Sequence, residues 1–141
     1  MSESTISFFD INNSYEKLPS SLKRAMKASL MSDHPQHKLG AVILQKNKVI
    51  AVGRNYIHKT HPITHDHDVT KFKTQHAEVT CILQIKNKDI LDKATIVVFR
   101  QNKKGEFSIA RPCVMCRSIL KSFGVKKMIY TINNGWALEY L

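Results

Sequence analysis

His76-Ala77-Glu78, answered further along by Pro112-Cys113-Val114-Met115-Cys116, is the stretch on which the reading of this chain turns. It supplies one imidazole, two thiols and a carboxyl. Imidazole nitrogen and thiolate sulfur are ligands of tetrahedral zinc, and three protein ligands leave a fourth position for water, whereas a structural site is usually closed by four. His76, Cys113 and Cys116 make three. A C-x-x-C pair at the start of a helix turns both sulfurs onto one ion, and the positive helix end favours their thiolate forms. Pro112 suits a place just before or at that first turn, where a missing N–H costs nothing. Glu78, two residues beyond His76, is left to carry protons beside the ion. A C-x-x-C alone also fits a redox pair or half of a structural zinc site. The ordered combination, with a proline directly before the first cysteine, points instead to a water-activating metal centre.

Around these motifs the apolar pattern alternates between strand and helix. Leu18 to Met31 carries Leu22, Met26 and Leu30 at helical spacing, with Ser20 and Ser21 in place to cap it. Leu39 to Leu44 is short and rich in β-branched residues, Gln45-Lys46-Asn47-Lys48 is a polar turn, and Val49 to Val52 resumes the apolar run, which predicts a hairpin. His76 to Ile85 reads as a helix with Val79, Ile82 and Leu83 as its buried stripe. Ile96 to Phe99 is a continuous apolar run suited to a strand covered on both faces. Gln101 to Glu106 predicts a surface loop or short hairpin. Cys116 to Phe123 is a second helix, stopped by Gly124 in the left-handed position that follows many helices. Met128 to Thr131 is a further strand, and Asn133-Asn134-Gly135 is a turn signal. The 141 residues, 43% of them hydrophobic, suffice for one domain with a sizeable core. The expected organisation is a mobile N-terminal segment over 1–17 and a single domain over 18–141.

The H-A-E and P-C-x-x-C motifs, in this order, resemble those of the cytidine/deoxycytidylate deaminase superfamily, and the resemblance runs from about Leu22 to Trp136. His37 to Leu44 looks like the first core strand of that family and Val49 to Asn55 like the second, ending in its G-x-N motif. Ala94 to Arg100 and Val125 to Thr131 complete the core by the same resemblance. It implies a three-layer α/β/α sandwich with a mixed central sheet and one catalytic zinc on His76, Cys113 and Cys116. Glu78 is then the acid–base group for water attack at C4 of cytosine or C6 of adenine. The Ala77 amide or a Cys113 amide would hold polar groups around the new oxygen, and Asn55 would hydrogen-bond sugar or base. Arg111 departs from the glutamate that precedes Pro-Cys in tRNA adenosine deaminases, and is a candidate for a phosphate or a strand backbone. A homo-oligomer is also implied.

The segment from Tyr56 to Asp68 holds four of the seven histidines, His58, His61, His65 and His67. It fits a loop with Lys59 reaching a substrate phosphate, a second, structural zinc site, or a solvated loop. Cys81 fits a small buried hydrophobe.

Twenty-two Lys and Arg against eleven Asp and Glu give a net charge of +11. That balance favours a phosphorylated substrate or a polyanionic partner. Small basic clusters stand at Lys23-Arg24-Lys27, Lys71-Lys73, Lys103-Lys104 and Lys126-Lys127. Two readings follow: an enzyme acting on a free cytosine nucleotide, most simply dCMP to dUMP, or a deaminase of bases in single-stranded DNA, RNA or tRNA. Aromatic residues are only 8% of the chain, and a single-strand binder needs exposed rings on which bases stack, so the free nucleotide is preferred. No apolar run is long enough for a membrane span or a signal peptide. Three cysteines, two of them assigned to zinc, fit a reducing compartment, the cytoplasm.

Overall fold

The structure, a computed structural model, describes residues 6–35, 37–56 and 75–141. Its elements in chain order are β1 (Ile6–Asp10), α1 (Ser20–Ser29), β2 (Leu39–Gln45), β3 (Lys48–Arg54), α2 (Ala77–Leu83), β4 (Thr95–Arg100), α3 (Val114–Ser122), β5 (Lys127–Ile132) and β6 (Gly135–Tyr140). The six strands form one sheet in the order β1-β6-β5-β4-β2-β3. β4 and β5 run parallel and every other neighbouring pair is antiparallel, so the sheet is mixed, as expected.

Alternation along the strands builds two cores. In β2 and β4 the side chains of Ala41, Ile43, Ile96 and Val98 go to one face with Val79 and Ile82 of α2 and Ile119 and Leu120 of α3. Val42, Val97 and Phe99 go to the other, against Leu22 and Ala25 of α1. The period of two therefore places α1 alone on one side and α2 with α3 on the other, giving three layers. α1 lies so close to the sheet that a Cβ on Gly40 would sit 1.9 Å from the Ala25 carbonyl oxygen. Only glycine fits there.

The local signals are met with small shifts. Lys46 and Asn47, at φ of 52° and 65°, make the β2–β3 turn, the two-residue geometry that suits the twist of a hairpin. Gly124, at φ 86°, ends α3. α1 is capped differently from expectation: Pro19 is its N-cap residue without a side-chain hydrogen bond, and Ser20 and Ser21 lie inside the first turn. Leu30, read as an apolar residue at helical spacing, is the C-cap residue of α1 and is 61% exposed. Gln101 pairs with Phe107 across a tight loop, the short hairpin that the polar run suggested.

Two strands lay outside the expected core. Ile6–Asp10, read as part of a mobile segment over 1–17, pairs along its length with β6. Its signal is weak because it is an edge strand with all five residues exposed, so burial imposes no alternation on it. Phe9 stacks on Trp136 of β6, ring centroids 4.1 Å apart, and fixes that edge. Trp136 and Tyr140 are accordingly sheet residues.

Candidate active site

The α2–α3 layer delivers the motif side chains to one place. His76 is the N-cap residue of α2 and Cys113 the N-cap residue of α3, each one step outside the helix that aims it. Cys116 follows in the first turn of α3 and is buried, at 1% exposure. His76 Nδ1 lies 3.2 Å from Cys116 Sγ and 3.5 Å from Cys113 Sγ, and the three ligand atoms all fall within 4.8 Å of one another. Zinc–sulfur and zinc–nitrogen bonds of ordinary length, opened to a tetrahedral angle, put neighbouring ligand atoms about 3.6 Å apart. The donor set therefore fits a zinc ion in both chemistry and spacing.

The electrostatics suit the same use. The Cys113 thiol is lowered to about 4, first by the hydrogen bond from the Cys116 thiol and also by its contact with His76. Cys116 is pushed well above the usual thiol range, because its proton is held on Cys113 and its site is buried. Of the two thiols Cys113 is the more readily deprotonated, and a metal ion bound there would favour the thiolate of both. Glu78, in the first turn of α2, is 4% exposed, and burial pushes its carboxyl above the ordinary range. Such a group both accepts and returns a proton near neutrality more readily than an exposed carboxylate.

These residues stand in a cavity of about 320 Å³, within the size range of small-molecule sites. His76, Ala77, Glu78 and Cys113 line one part. Asn55, Leu39, Ala110 and Arg111 form walls, and His34, His37, Arg100 and Ile109 complete the lining. Asn55 does more than face the cavity. Its Oδ1 accepts from Leu39 N at 3.0 Å and from Ser32 Oγ, and its Nδ2 donates to the His37 carbonyl. It thus braces the segment that connects α1 to β2.

Arg111 also lines the cavity, but its guanidinium is engaged fork to fork by Glu139 of β6, Nε to Oε1 at 2.9 Å and Nη2 to Oε2 at 2.7 Å. Tyr130 Oη donates to the same carboxylate at 2.8 Å. Lys59 and the histidines His58, His61, His65 and His67 lie outside the described residues. Sequence reasoning did not single out His34, His37 and Arg100. Arg100 Nη2 donates to His37 Nδ1 at 2.6 Å, and His37 N donates to His34 Nδ1 at 2.9 Å. Partial burial, then the Arg100 charge, pushes the His37 imidazole below its ordinary value. His37 is therefore a neutral acceptor that aims a full positive charge. The signal for this pairing was the register of β2 on β4, which sets Leu39 against Arg100 and which no local motif records.

The family model for the cytidine and deoxycytidylate deaminase zinc-binding region matches residues 13–132. The chain belongs to that deaminase family. No curated protein matches the sequence significantly. Among solved structures, the dCMP deaminase of cyanophage S-TIM5 in apo form is similar with a TM-score of 0.56 at 22% identity, covering 79% of each chain. The same enzyme in complex with dCMP and dUMP gives 0.56 at 20% identity over 79% of this chain and 77% of that one. A cytidine deaminase from Burkholderia pseudomallei gives 0.55 at 17% identity over 80% and 83%. At these identities the likeness is one of fold, and it agrees with the mixed sheet and flanking helices of this deaminase-family chain. No described helix is long and apolar enough to cross a membrane.

Proposed function

We propose that the protein hydrolytically deaminates a free cytosine nucleotide, most simply dCMP to dUMP. The observation that carries this reading is the buried carboxyl of Glu78 beside the His76, Cys113 and Cys116 donors, in a cavity that also holds the aimed guanidinium of Arg100. His76, Cys113 and Cys116 would hold a zinc ion, which when bound would supply an acidified water as nucleophile. Glu78 would take one proton from that water and place it on ring N3, then take the second from the new C4 hydroxyl and pass it to the amine, so that ammonia leaves as the C4 carbonyl forms. Burial keeps that carboxyl out of competition with bulk water. The Ala77 backbone, at the start of α2, stands where it can hold a polar group of the base. Arg100 with His37 faces a phosphate as a charge-assisted donor.

The three cysteines, Cys81, Cys113 and Cys116, form no disulfide, which suits a reducing compartment such as the cytoplasm. The net charge of +11 also admits a polymer substrate, and the exposed Lys103 and Lys104 would then be its contacts. Trp136 is already stacked on Phe9, which leaves that ring less suited to stacking on a base.

The test is deamination by the zinc-loaded protein of deoxycytidine, CMP, dCMP and dCTP beside single-stranded DNA, RNA and tRNA, with Glu78→Gln as blank. Turnover of dCMP in preference to deoxycytidine is expected. Turnover of polymer alone would replace this reading with base editing in nucleic acid, and turnover unaffected by Glu78→Gln would remove the mechanism.

A further inference from the structure

The residue before Pro112-Cys113 is an arginine, and a carboxylate from the far end of the chain answers it. Glu139 lies on β6, beyond the residues matched by the family model. It is 4% exposed and receives two hydrogen bonds from Arg111 and one from Tyr130. An exposed ion pair of this kind contributes little. Here the acid is buried, the geometry is bidentate and a third donor completes it, so the arginine is held in one place.

What Arg111 is attached to gives that restraint its use. Proline fixes its own φ and pushes the residue before it into extended backbone. Arg111-Pro112-Cys113 is therefore a stiff link. The same loop is pinned by Ala110 N to the Thr131 carbonyl at 2.9 Å and by Arg117 Nη1 to the Pro112 carbonyl at 2.7 Å. Among the described residues, the Glu139 contacts are the only side-chain hydrogen bonds to Arg111. They join the loop to β6 as those two join it to β5 and α3.

We propose that Glu139 is a positioning residue: acting through Arg111, it sets the place of Cys113 against His76 and holds the cavity wall between them. The inference rests on the His76, Cys113 and Cys116 reading of the metal centre. It assigns Arg111 to the architecture of the site, with its charge balanced inside the protein.

Zinc retention tests it directly. The full chain, loaded with zinc, is titrated with a chromophoric chelator, and circular dichroism is recorded on each variant. Glu139→Gln is expected to weaken zinc binding about tenfold, the scale seen when a group supporting a metal ligand is removed. Tyr130→Phe removes a hydrogen bond from the same buried carboxylate but leaves the fork intact, and is expected to change zinc affinity less than threefold, by the same scale. The exchange Arg111→Glu with Glu139→Arg is expected to restore part of the loss. Should Glu139→Gln fail to fold, the pair Arg111→Met with Glu139→Leu replaces both charges by apolar groups, a change that buried pairs often tolerate. It should fold and show the same weakened zinc binding. A folded Glu139→Gln or apolar pair that holds zinc as tightly as the wild type overturns the inference. Wild-type protein that binds no zinc overturns the metal-centre reading instead.

Discussion

The two faces of the sheet are packed for different ends. Under α1 the sheet offers Val42, Val97 and Phe99 to Leu22 and Ala25, a surface whose closeness is set by Gly40. Under α2 and α3 it offers comparable apolar residues, but this layer also carries both of the buried carboxyl groups among the described residues, Glu78 and Glu139. One is pushed up by burial, which outweighs the opposing charge of His76; the other is lowered by its hydrogen bonds from an arginine. The comparison separates a layer that packs apolar side chains alone from one that also buries the carboxyl groups beside the candidate metal donors, the layer to which proton transfer and ligand placement are proposed.

The strongest way to break that division is at Glu78. Glu78→Gln should lower kcat by about 10²–10⁴-fold, the usual contribution of a positioned acid–base group, while zinc content stays at the wild-type level; both are read on one preparation by steady-state kinetics and metal analysis. Retained turnover would mean that burial of this carboxyl serves something else. On the opposite face, Phe99→Ala should destabilise by about 3–5 kcal/mol, measured by urea unfolding, with KM unchanged wherever the protein remains folded. A shift in KM at full folding would show that the two layers are coupled.

Arg100 sharpens the picture at the cavity itself. A hydrogen bond to a charged group is worth about 1.5–3 kcal/mol, so Arg100→Gln should raise KM for dCMP by about tenfold or more and leave that for deoxycytidine nearly unchanged. Equal loss on both substrates would assign Arg100 to structure.

The smallest effect expected is in the acid limb of stability. Arg111, by its hydrogen bonds, lowers the Glu139 carboxyl below its ordinary value. The ionised form is therefore favoured in the folded chain, and its contribution is complete above the unfolded value, about 4.3. It is lost as pH falls through the lower, folded value. The Tm difference between wild type and Glu139→Gln should accordingly be widest near neutrality and narrow below about pH 4.3. A difference that stays constant with pH would show that the carboxylate's charge is not what the arginine holds.

What could be read from the sequence divides along physical lines. His76, Glu78, Cys113 and Cys116 stand in short motifs whose spacing is itself the chemistry, and the β2–β3 hairpin announces itself through a polar turn between two apolar runs. The contacts of Arg100 with His37 and of Arg111 with Glu139 join residues far apart in the chain, and appear only once strand register is known. Asn55 was expected to touch substrate; it lines the cavity, and its amide also holds Ser32, His37 and Leu39, contacts between separate elements that no local motif records. β1 went unread because no buried face disciplines its side chains. β6 was obscured because Trp136 and Leu138 alternate with Ala137 and Glu139, so a charged residue interrupts the buried side of the pattern.

The pairing of β1 with β6 ties together segments from opposite ends of the described residues. The first strand has no neighbour until the last has been made, and the contact closes almost the whole length of the chain, the most expensive kind of loop to close. Glu139 rides on that last strand. If Arg111 transmits its hold, whatever loosens the pairing of β1 with β6 would reach the metal donors through the loop that carries Cys113.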